Sequence, residues 1–61
     1  MCESNVYIKK DGSEELLMEN VAAITPTGDG NYQLRGLLGE SMEIKGVIED
    51  INLMSHKIIF S

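Results

Sequence analysis

The sequence predicts an all-β fold, a small antiparallel barrel-like domain of about five or six strands, similar in size to an SH3 or Sm domain. Segments of strand length recur at a spacing of about 8–12 residues, and Gly, Asp and Pro turn signals separate them. The chain has 61 residues, which is room for one domain, expected to span residues 1–61. Because 43 % of the residues are hydrophobic, the composition excludes a disordered acidic tail.

The first predicted element is a β-hairpin. Residues 5–10 alternate, with Val6 and Ile8 on one face of an extended strand. Asp11-Gly12 follows directly and is a dipeptide typical of two-residue hairpin turns. Residues 15–18 are therefore expected to form the return strand.

A helix is the competing interpretation of residues 13–20. Ser13 is a good N-terminal cap, and acidic residues follow it, as in the first turn of many helices. An isolated helix of that length is only marginally stable in water, however, and the preceding turn dipeptide favours a hairpin. The strand is the preferred interpretation.

The middle of the chain predicts two further strands. Residues 21–25 end at Pro26, which cannot donate a hydrogen bond to a ladder and therefore suits the end of a strand. The loop at 27–30 (TGDG) leads into a strand over residues 31–38, which places Tyr32 and Leu34 on one face.

The last third contains candidate core residues on either side of a glycine. Gly46 interrupts the pattern and is expected to mark a bulge or a sharp bend. Residues 54–56 are expected to form a turn before the final strand, residues 57–60. The candidate core positions in this region are Met42, Ile44, Ile48 and Leu53.

The small size of the chain favours assembly. A domain of this size buries only about 60 % of the surface that its unfolded chain exposes, so a disulfide, a metal or a partner subunit usually adds stability. A single cysteine, Cys2, cannot form an internal disulfide. We therefore expect a homodimer, a bound metal, or both.

The charge balance argues against several partners. Ten acidic and five basic residues give a net charge of −5, and only Lys9 and Lys10 among the basic residues are adjacent. Binding to a phosphate backbone requires clustered cations. No apolar run approaches the ~20 residues needed to cross a membrane, and no signal peptide is recognisable. The expected compartment is the cytoplasm, where a lone cysteine stays reduced.

Cys2 is the strongest candidate for chemistry. Its thiolate and its own backbone nitrogen can close a five-membered chelate around a metal, which would also drive deprotonation of the thiol. One cysteine is too few for a closed structural zinc site, but two copies meeting across a two-fold axis supply a mixed nitrogen and sulfur donor set. Such a set suits Ni(II) or Cu(II). The alternative is that Cys2 is a small buried hydrophobe at the start of the first strand.

Two weaker metal candidates accompany Cys2. The backbone nitrogen of Glu3 could be a further donor, and His56 could be a ligand, although a lone histidine in a turn is more often a hydrogen-bonded surface residue. The methionines could offer thioethers, but their apolar neighbours indicate core packing.

Catalysis finds little support in the sequence. The adjacent acids Glu14 and Glu15 point to opposite faces of an extended chain, as do Glu49 and Asp50, so no convergent acid–base pair is recognisable. An enzyme with an N-terminal Cys2 nucleophile would need Met1 removed and a base or oxyanion partner that the sequence does not identify. We therefore expect no enzymatic activity.

The chain as a whole resembles the CooT family. The resemblance is carried by residues 1–8 (MCESNVYI), 10–12 (KDG), 15–21 (ELLMENV), 37–40 (LLGE), 44–48 (IKGVI), 51–53 (INL) and 56–59 (HKII). It implies a small β-rich fold, a cytoplasmic homodimer, Ni(II) bound through Cys2, and a role as an accessory protein for carbon monoxide dehydrogenase, as a nickel metallochaperone or store.

RNA binding is the alternative function, since many members of that family are named predicted RNA-binding proteins. A small β-barrel can stack bases on aromatic side chains along a basic groove. Here only Tyr7, Tyr32 and Phe60 are aromatic, and the net charge is negative. Nucleic acid is therefore an unlikely partner on the sequence alone.

Overall fold

The structure is a computed structural model that describes residues 3–61. This range contains six strands and no helix, and therefore no helix that could span a membrane. The all-β prediction is confirmed. The strands are β1 (Ser4–Lys10), β2 (Ser13–Gly28), β3 (Asn31–Gly36), β4 (Ser41–Lys45), β5 (Ile48–Asn52) and β6 (Lys57–Phe60).

All six strands belong to one sheet with the order β4-β3-β2-β1-β6-β5. The sheet is not closed into a barrel, and β1 and β6 run parallel while all other neighbours are antiparallel. The parallel pair arises because β6, which returns from the edge strand β5 as a hairpin, lies beside the first strand. The first and last strands of the chain are thus neighbours, and both lie inside the sheet.

The two edge strands meet at one corner. Only Gly46 and Val47 separate the end of β4 from the start of β5, so the sheet must coil to bring its edges together there. Val47 and Ser61 exchange both backbone hydrogen bonds, at 2.9 and 2.8 Å, and the Gly46 amide donates to the Gly30 carbonyl at 2.8 Å. We call Gly30, Gly46, Val47 and Ser61 the closed corner. The bend predicted at Gly46 is confirmed.

Strand β2 is longer than the sequence predicts. The predicted strands at 15–18 and 21–25 form a single strand of 16 residues, whose first part pairs with β1 and whose second part pairs with β3. Asn20 lies between them with a φ of 54°, a left-handed conformation that asparagine adopts more readily than most residues. A bulge at this point lets one strand bend and serve both halves of the sheet.

The predicted hairpin turn is confirmed at Asp11-Gly12. Both residues have positive φ, 50° and 80°, which matches the type I′ turn preferred between twisted antiparallel strands. The strand predicted over residues 31–38 ends earlier, at Gly36, because the Gly36 amide donates to the Glu40 carbonyl at 2.8 Å and closes a turn.

The core lies on the concave face of the sheet. Val6, Leu34 and Phe60 are fully buried, and the ring of Tyr32 packs edge-on against Phe60 with the centroids 5.2 Å apart. Around them lie the buried Met18, Val21 and Ile58 and the partly buried Ile8, Leu17, Ile24, Ile44 and Ile48.

Two of the predicted core positions are wrong. The Leu53 side chain is 71 % exposed because β5 ends at Asn52, which leaves Leu53 in a turn. Met42 is 36 % exposed because it lies on the edge strand β4, where no further strand covers it.

Candidate metal site

The proposed metal ligand Cys2, like Met1, lies outside the described residues. The structure instead describes the place where the chain enters the sheet. Glu3 precedes β1 and is half-buried, and Ser4 is buried with 7 % exposure and pairs with Val21 of β2.

A series of hydrogen bonds joins four parts of the chain at this place. The Asn5 amide donates to the His56 carbonyl at 2.8 Å, and the Asn20 amide donates to Asn5 Oδ1 at 3.2 Å. The Leu37 amide in turn donates to the Asn20 carbonyl at 3.1 Å. The start of β1, the bulge of β2, the end of β3 and the turn before β6 therefore meet. We call Ser4, Asn5, Asn20, Leu37 and His56 the open corner.

The side chain of Asn5 is central to the open corner. By accepting from the Asn20 amide, it satisfies a backbone donor that the bulge takes out of the regular ladder. Asn5 and Asn20 were not candidates on the sequence, where each is an ordinary polar residue. Their separation by 15 residues leaves no local signal for this contact.

His56 lies beside the start of β1. The parallel pairing of β1 with β6 places Lys57 opposite Asn5, and the residue before Lys57 is His56. The His56 side chain is exposed, and its backbone has a φ of 56° within the turn of residues 53–56. The two candidates within the described range, Glu3 and His56, thus lie at the same corner of the sheet, Glu3 two residues before Asn5 and His56 hydrogen-bonded to the Asn5 amide through its carbonyl.

The residues 3–61 contain no cluster of three or more His, Cys, Asp or Glu side chains that could hold a metal. Glu3 and His56 are the only parts of the predicted metal site that this range contains.

Two turns that flank the open corner carry apolar side chains that face solvent. They come from the turn after β3 and the turn before β6. Their exposed fractions are large for leucine and methionine, whereas the sequence predicts Leu37 and Leu38 in a strand and Leu53 in the core. We call this set the apolar rim: Leu37 at 47 %, Leu38 at 93 %, Leu53 at 71 % and Met54 at 93 %.

Lys57 adds a charge interaction beside His56. Its Nζ lies 2.6 Å from Glu14 Oε1 and 4.9 Å from the centre of the Tyr7 ring. The hydrogen bond with Glu14 raises the pKa of Lys57 above its ordinary value, electrostatic interactions with Glu14, Tyr7 and Asp50 act in the same direction, and desolvation opposes them.

The aromatic side chains are poorly placed to stack nucleic-acid bases. Phe60 is fully buried, Tyr32 packs against it, and the Lys57 ammonium covers one face of Tyr7. Stacking platforms require exposed rings beside a basic groove. The described residues therefore offer little to a single-stranded RNA.

The outer face of β3 and β4 carries a shallow concavity of about 390 Å³. Its polar groups come from Gln33, Arg35 and Ser41, and the rest of its lining is Gly36, Leu37 and Gly39. It adjoins the open corner through Leu37. None of its lining residues is a carboxylate, cysteine or histidine.

Comparison with known proteins places the chain in a family. The model of the family described as CO dehydrogenase accessory protein CooT matches residues 1–61. The crystal structure of a protein assigned as CooT in Carboxydothermus hydrogenoformans superposes with a TM-score of 0.89 at 32 % identity, covering 97 % of this chain and 94 % of that one. No match was found among curated proteins. The resemblance inferred from the sequence is confirmed, and the chain belongs to the CooT family of CO dehydrogenase accessory proteins.

Proposed function

We propose that this protein is a Ni(II)-binding homodimer that carries or stores nickel in the cytoplasm for the maturation of carbon monoxide dehydrogenase, and that it is not an enzyme. The observation that carries the proposal is the match to a CO dehydrogenase accessory family over residues 1–61, a range that includes the single cysteine of the chain. An accessory protein that delivers the metal to its enzyme needs a ligand that can also release that metal.

The proposed ligands are the Cys2 thiolate and the Cys2 backbone nitrogen from each of two chains. Thiolate and nitrogen donors in a planar arrangement suit Ni(II), and the two-fold axis supplies the donors that one chain lacks. The Glu3 backbone nitrogen and the His56 imidazole are secondary candidates. The hydrogen bond between the Asn5 amide and the His56 carbonyl supports His56, because it ties that turn to the start of β1.

The apolar rim supports dimerisation at the same place. Leu38 and Met54 are each 93 % exposed, and exposed apolar groups clustered on a small domain mark contact surfaces. A second copy docked at the open corner would cover the rim and place the two chain starts together. The dimer and the metal site are therefore expected to form as one unit.

A titration with Ni(II) tests the proposed ligand. Wild type is expected to develop thiolate-to-nickel charge-transfer absorption that saturates at one nickel per two chains, and Cys2→Ser is expected to show none. Native mass spectrometry of the same samples reports stoichiometry and oligomeric state together. Equal absorption in wild type and Cys2→Ser would contradict the proposal.

The variant His56→Gln separates the secondary ligand from the primary one. Glutamine keeps a polar side chain in the turn but lacks an imidazole nitrogen, so an unchanged spectrum removes His56 from the ligand set. A shifted charge-transfer band with unchanged stoichiometry would assign the imidazole a place beside Cys2.

A further inference from the structure

The two edges of the sheet differ in regularity. The pairings of β1 with β2, of β2 with β3 and of β5 with β6 each contain register shifts, whereas the pairing of β3 with β4 contains none. Strand β4 has no proline, and its outer edge pairs with no described strand. Natural edge strands are protected from further pairing by a bulge, a proline, an inward charge, short length or charged side chains. Strand β4 is five residues long and carries Glu43 and Lys45, but these two charges have opposite signs and can complement those of a second strand. A regular, uncovered edge is a template for another strand.

The hydrogen-bond pattern between β3 and β4 shows which backbone groups of β4 remain free. The Gly36 amide donates to the Glu40 carbonyl and the Gly46 amide donates to the Gly30 carbonyl, so the even-numbered residues of this segment bond to β3. The N–H and C=O groups of Ser41, Glu43 and Lys45 therefore point away from the sheet.

We infer that β4 pairs with β4 of a second copy of this chain, antiparallel, about a two-fold axis at Ile44. Any added antiparallel strand must place its own outward-pointing residues opposite Ser41, Glu43 and Lys45. An axis at Ile44 places each Glu43 opposite Lys45 of the second copy. It thereby forms two opposite-charge pairs and a backbone hydrogen-bonded ring around each.

The neighbouring registers are less favourable. An axis at Glu43 places the two Glu43 carboxylates directly opposite each other, which destabilises the pairing. An axis at Met42 pairs Glu43 with Ser41 and leaves Lys45 beyond the paired segment. Charge complementarity therefore selects the axis at Ile44.

Two contacts of the single chain favour this pairing. Thr27 Oγ1 donates to Glu43 Oε2 at 2.9 Å, which holds the carboxylate on the outer face and leaves Oε1 for the Lys45 ammonium of the second copy. On the opposite face, Ile44 is half-buried and Met42 is 36 % exposed. In this register Ile44 of the second copy lies directly opposite Ile44 and would extend the core, whereas Met42 lies opposite Gly46 and meets that Ile44 only on the diagonal.

This inference does not depend on the proposed nickel site, because β4 contains none of the proposed ligands. Sedimentation velocity of the metal-free full chain, over a range of concentrations, compares wild type with Glu43→Lys, Lys45→Glu and the double variant. Wild type is expected to self-associate, and each single variant to associate about tenfold or more weakly because attraction becomes repulsion in both pairs. The double variant is expected to recover most of the wild-type affinity, because it exchanges the two charges.

Matched controls are Glu15→Lys and Lys10→Glu, which make the same charge changes at exposed positions of the β1–β2 hairpin. They are expected to leave the association unchanged. Hydrogen exchange provides a residue-level readout, in which the amides of Glu43 and Lys45 gain protection with wild-type concentration and lose it in the single variants. The Ser41 amide points the same way beyond the paired segment and is expected to exchange rapidly throughout.

Four results would overturn the inference: a wild type that remains monomeric at its solubility limit; single variants that behave like the controls; a double variant that does not recover; or exchange at Glu43 and Lys45 that does not depend on concentration. Association through the open corner alone would give the second and fourth of these results. Loss of nickel binding would leave the metal-free measurements unchanged, so the two proposals fail separately.

Discussion

The closed corner and the open corner are held together by different means. At the closed corner, backbone groups of Val47 and Ser61 bond to each other and Gly46 leaves no side chain in the way. At the open corner, the amide side chain of Asn5 bridges to the bulge at Asn20, and exposed leucine and methionine side chains surround the junction. The closed corner is complete within one chain, whereas the open corner leaves apolar surface for a partner.

The difference predicts where substitutions affect folding and where they affect assembly. Changes at the closed corner should lower the free energy of unfolding. Changes in the apolar rim should affect self-association and leave the single chain nearly as stable as before. The four predictions below test this division, in order of decreasing effect.

Gly46→Val should have the largest effect. A Cβ at Gly46 would lie 2.9 Å from the Ser61 carbonyl oxygen, a backbone atom that cannot move without breaking the bond between Ser61 and Val47. We expect a loss of about 2–3 kcal/mol in the free energy of unfolding, measured by urea denaturation. That is a large part of the stability of a domain of this size.

Gly28→Ala is the control for the closed corner. A Cβ at Gly28 would meet only the Asn31 side-chain nitrogen, at an ordinary contact distance of 3.7 Å. Its urea midpoint should remain close to that of wild type. If Gly46→Val were equally well tolerated, the closed corner would not be the rigid junction described above.

The double variant Leu38→Ser/Met54→Ser should mainly affect assembly. Both side chains are 93 % exposed, so their removal should change the stability of the single chain by less than about 0.5 kcal/mol. If the apolar rim is covered in the nickel-bound dimer, the same variant should weaken nickel-dependent dimerisation about tenfold or more. Native mass spectrometry with and without Ni(II) measures, at each concentration, the part of the dimer fraction that depends on nickel and separates it from metal-free association through β4.

The control for the rim is Val47→Ser, which removes an exposed apolar side chain at the closed corner, where Val47 is 66 % exposed. It should leave nickel-dependent dimerisation unchanged. If both variants weakened dimerisation equally, any exposed apolar side chain would contribute to it, whichever corner it occupies. The two corners would then not differ in their role in assembly.

Asn5→Ala should have an intermediate effect on folding. It removes the acceptor for the Asn20 amide within the open corner, and the loss of one such hydrogen bond costs about 1 kcal/mol. Asn5→Asp retains an acceptor oxygen and should be closer to wild type. Urea denaturation of the two variants should therefore give different midpoints. Equal midpoints would show that the Asn5 side chain does not support the bulge.

Local patterns predicted the strands whose signals are contained within them. The hairpin at Asp11-Gly12 and the bend at Gly46 follow from turn chemistry, and the strand Lys57–Phe60 follows from a short apolar run after a predicted turn. The continuity of β2 through Asn20 could not be predicted in this way. The polar pair Glu19-Asn20 indicates a break in the strand, and its support comes from Asn5, which is distant in sequence.

The candidate site was predictable to a similar extent. The chemistry of Cys2 can be argued from one residue and two-fold symmetry, and nickel binding at that residue stays a prediction. The position of His56 beside the start of β1 depends on a parallel pairing of the first and last strands, which leaves no trace in local patterns. The apolar rim could not be predicted from the sequence, because a leucine in a sequence does not show whether the folded chain will cover it or leave it exposed.

The smallest predicted effect concerns Lys57, which follows His56 at the open corner. Its hydrogen bond to Glu14 holds the pKa of Lys57 above its ordinary value of 10.5 in the folded chain. A cation whose pKa is raised by folding adds stability that is fully present below its unfolded pKa and is lost as the pH rises through its folded pKa. The effect should be small, because both side chains are more than one-third exposed and water screens their interaction.

Glu14→Gln tests this electrostatic contribution by removing the carboxylate while keeping a side chain of similar shape. Wild type should be slightly more stable than Glu14→Gln at neutral pH, and the difference should close as the pH rises above 10.5 and Lys57 loses its proton. Glu15→Gln, at an adjacent carboxylate that belongs to neither of the described ion pairs, is the control and should show no such closing difference. Urea denaturation of all three proteins from neutral to alkaline pH measures these differences in the free energy of unfolding. A difference that persisted at alkaline pH would show that Glu14 stabilises the fold through packing, since only the charge interaction is lost when Lys57 is neutralised.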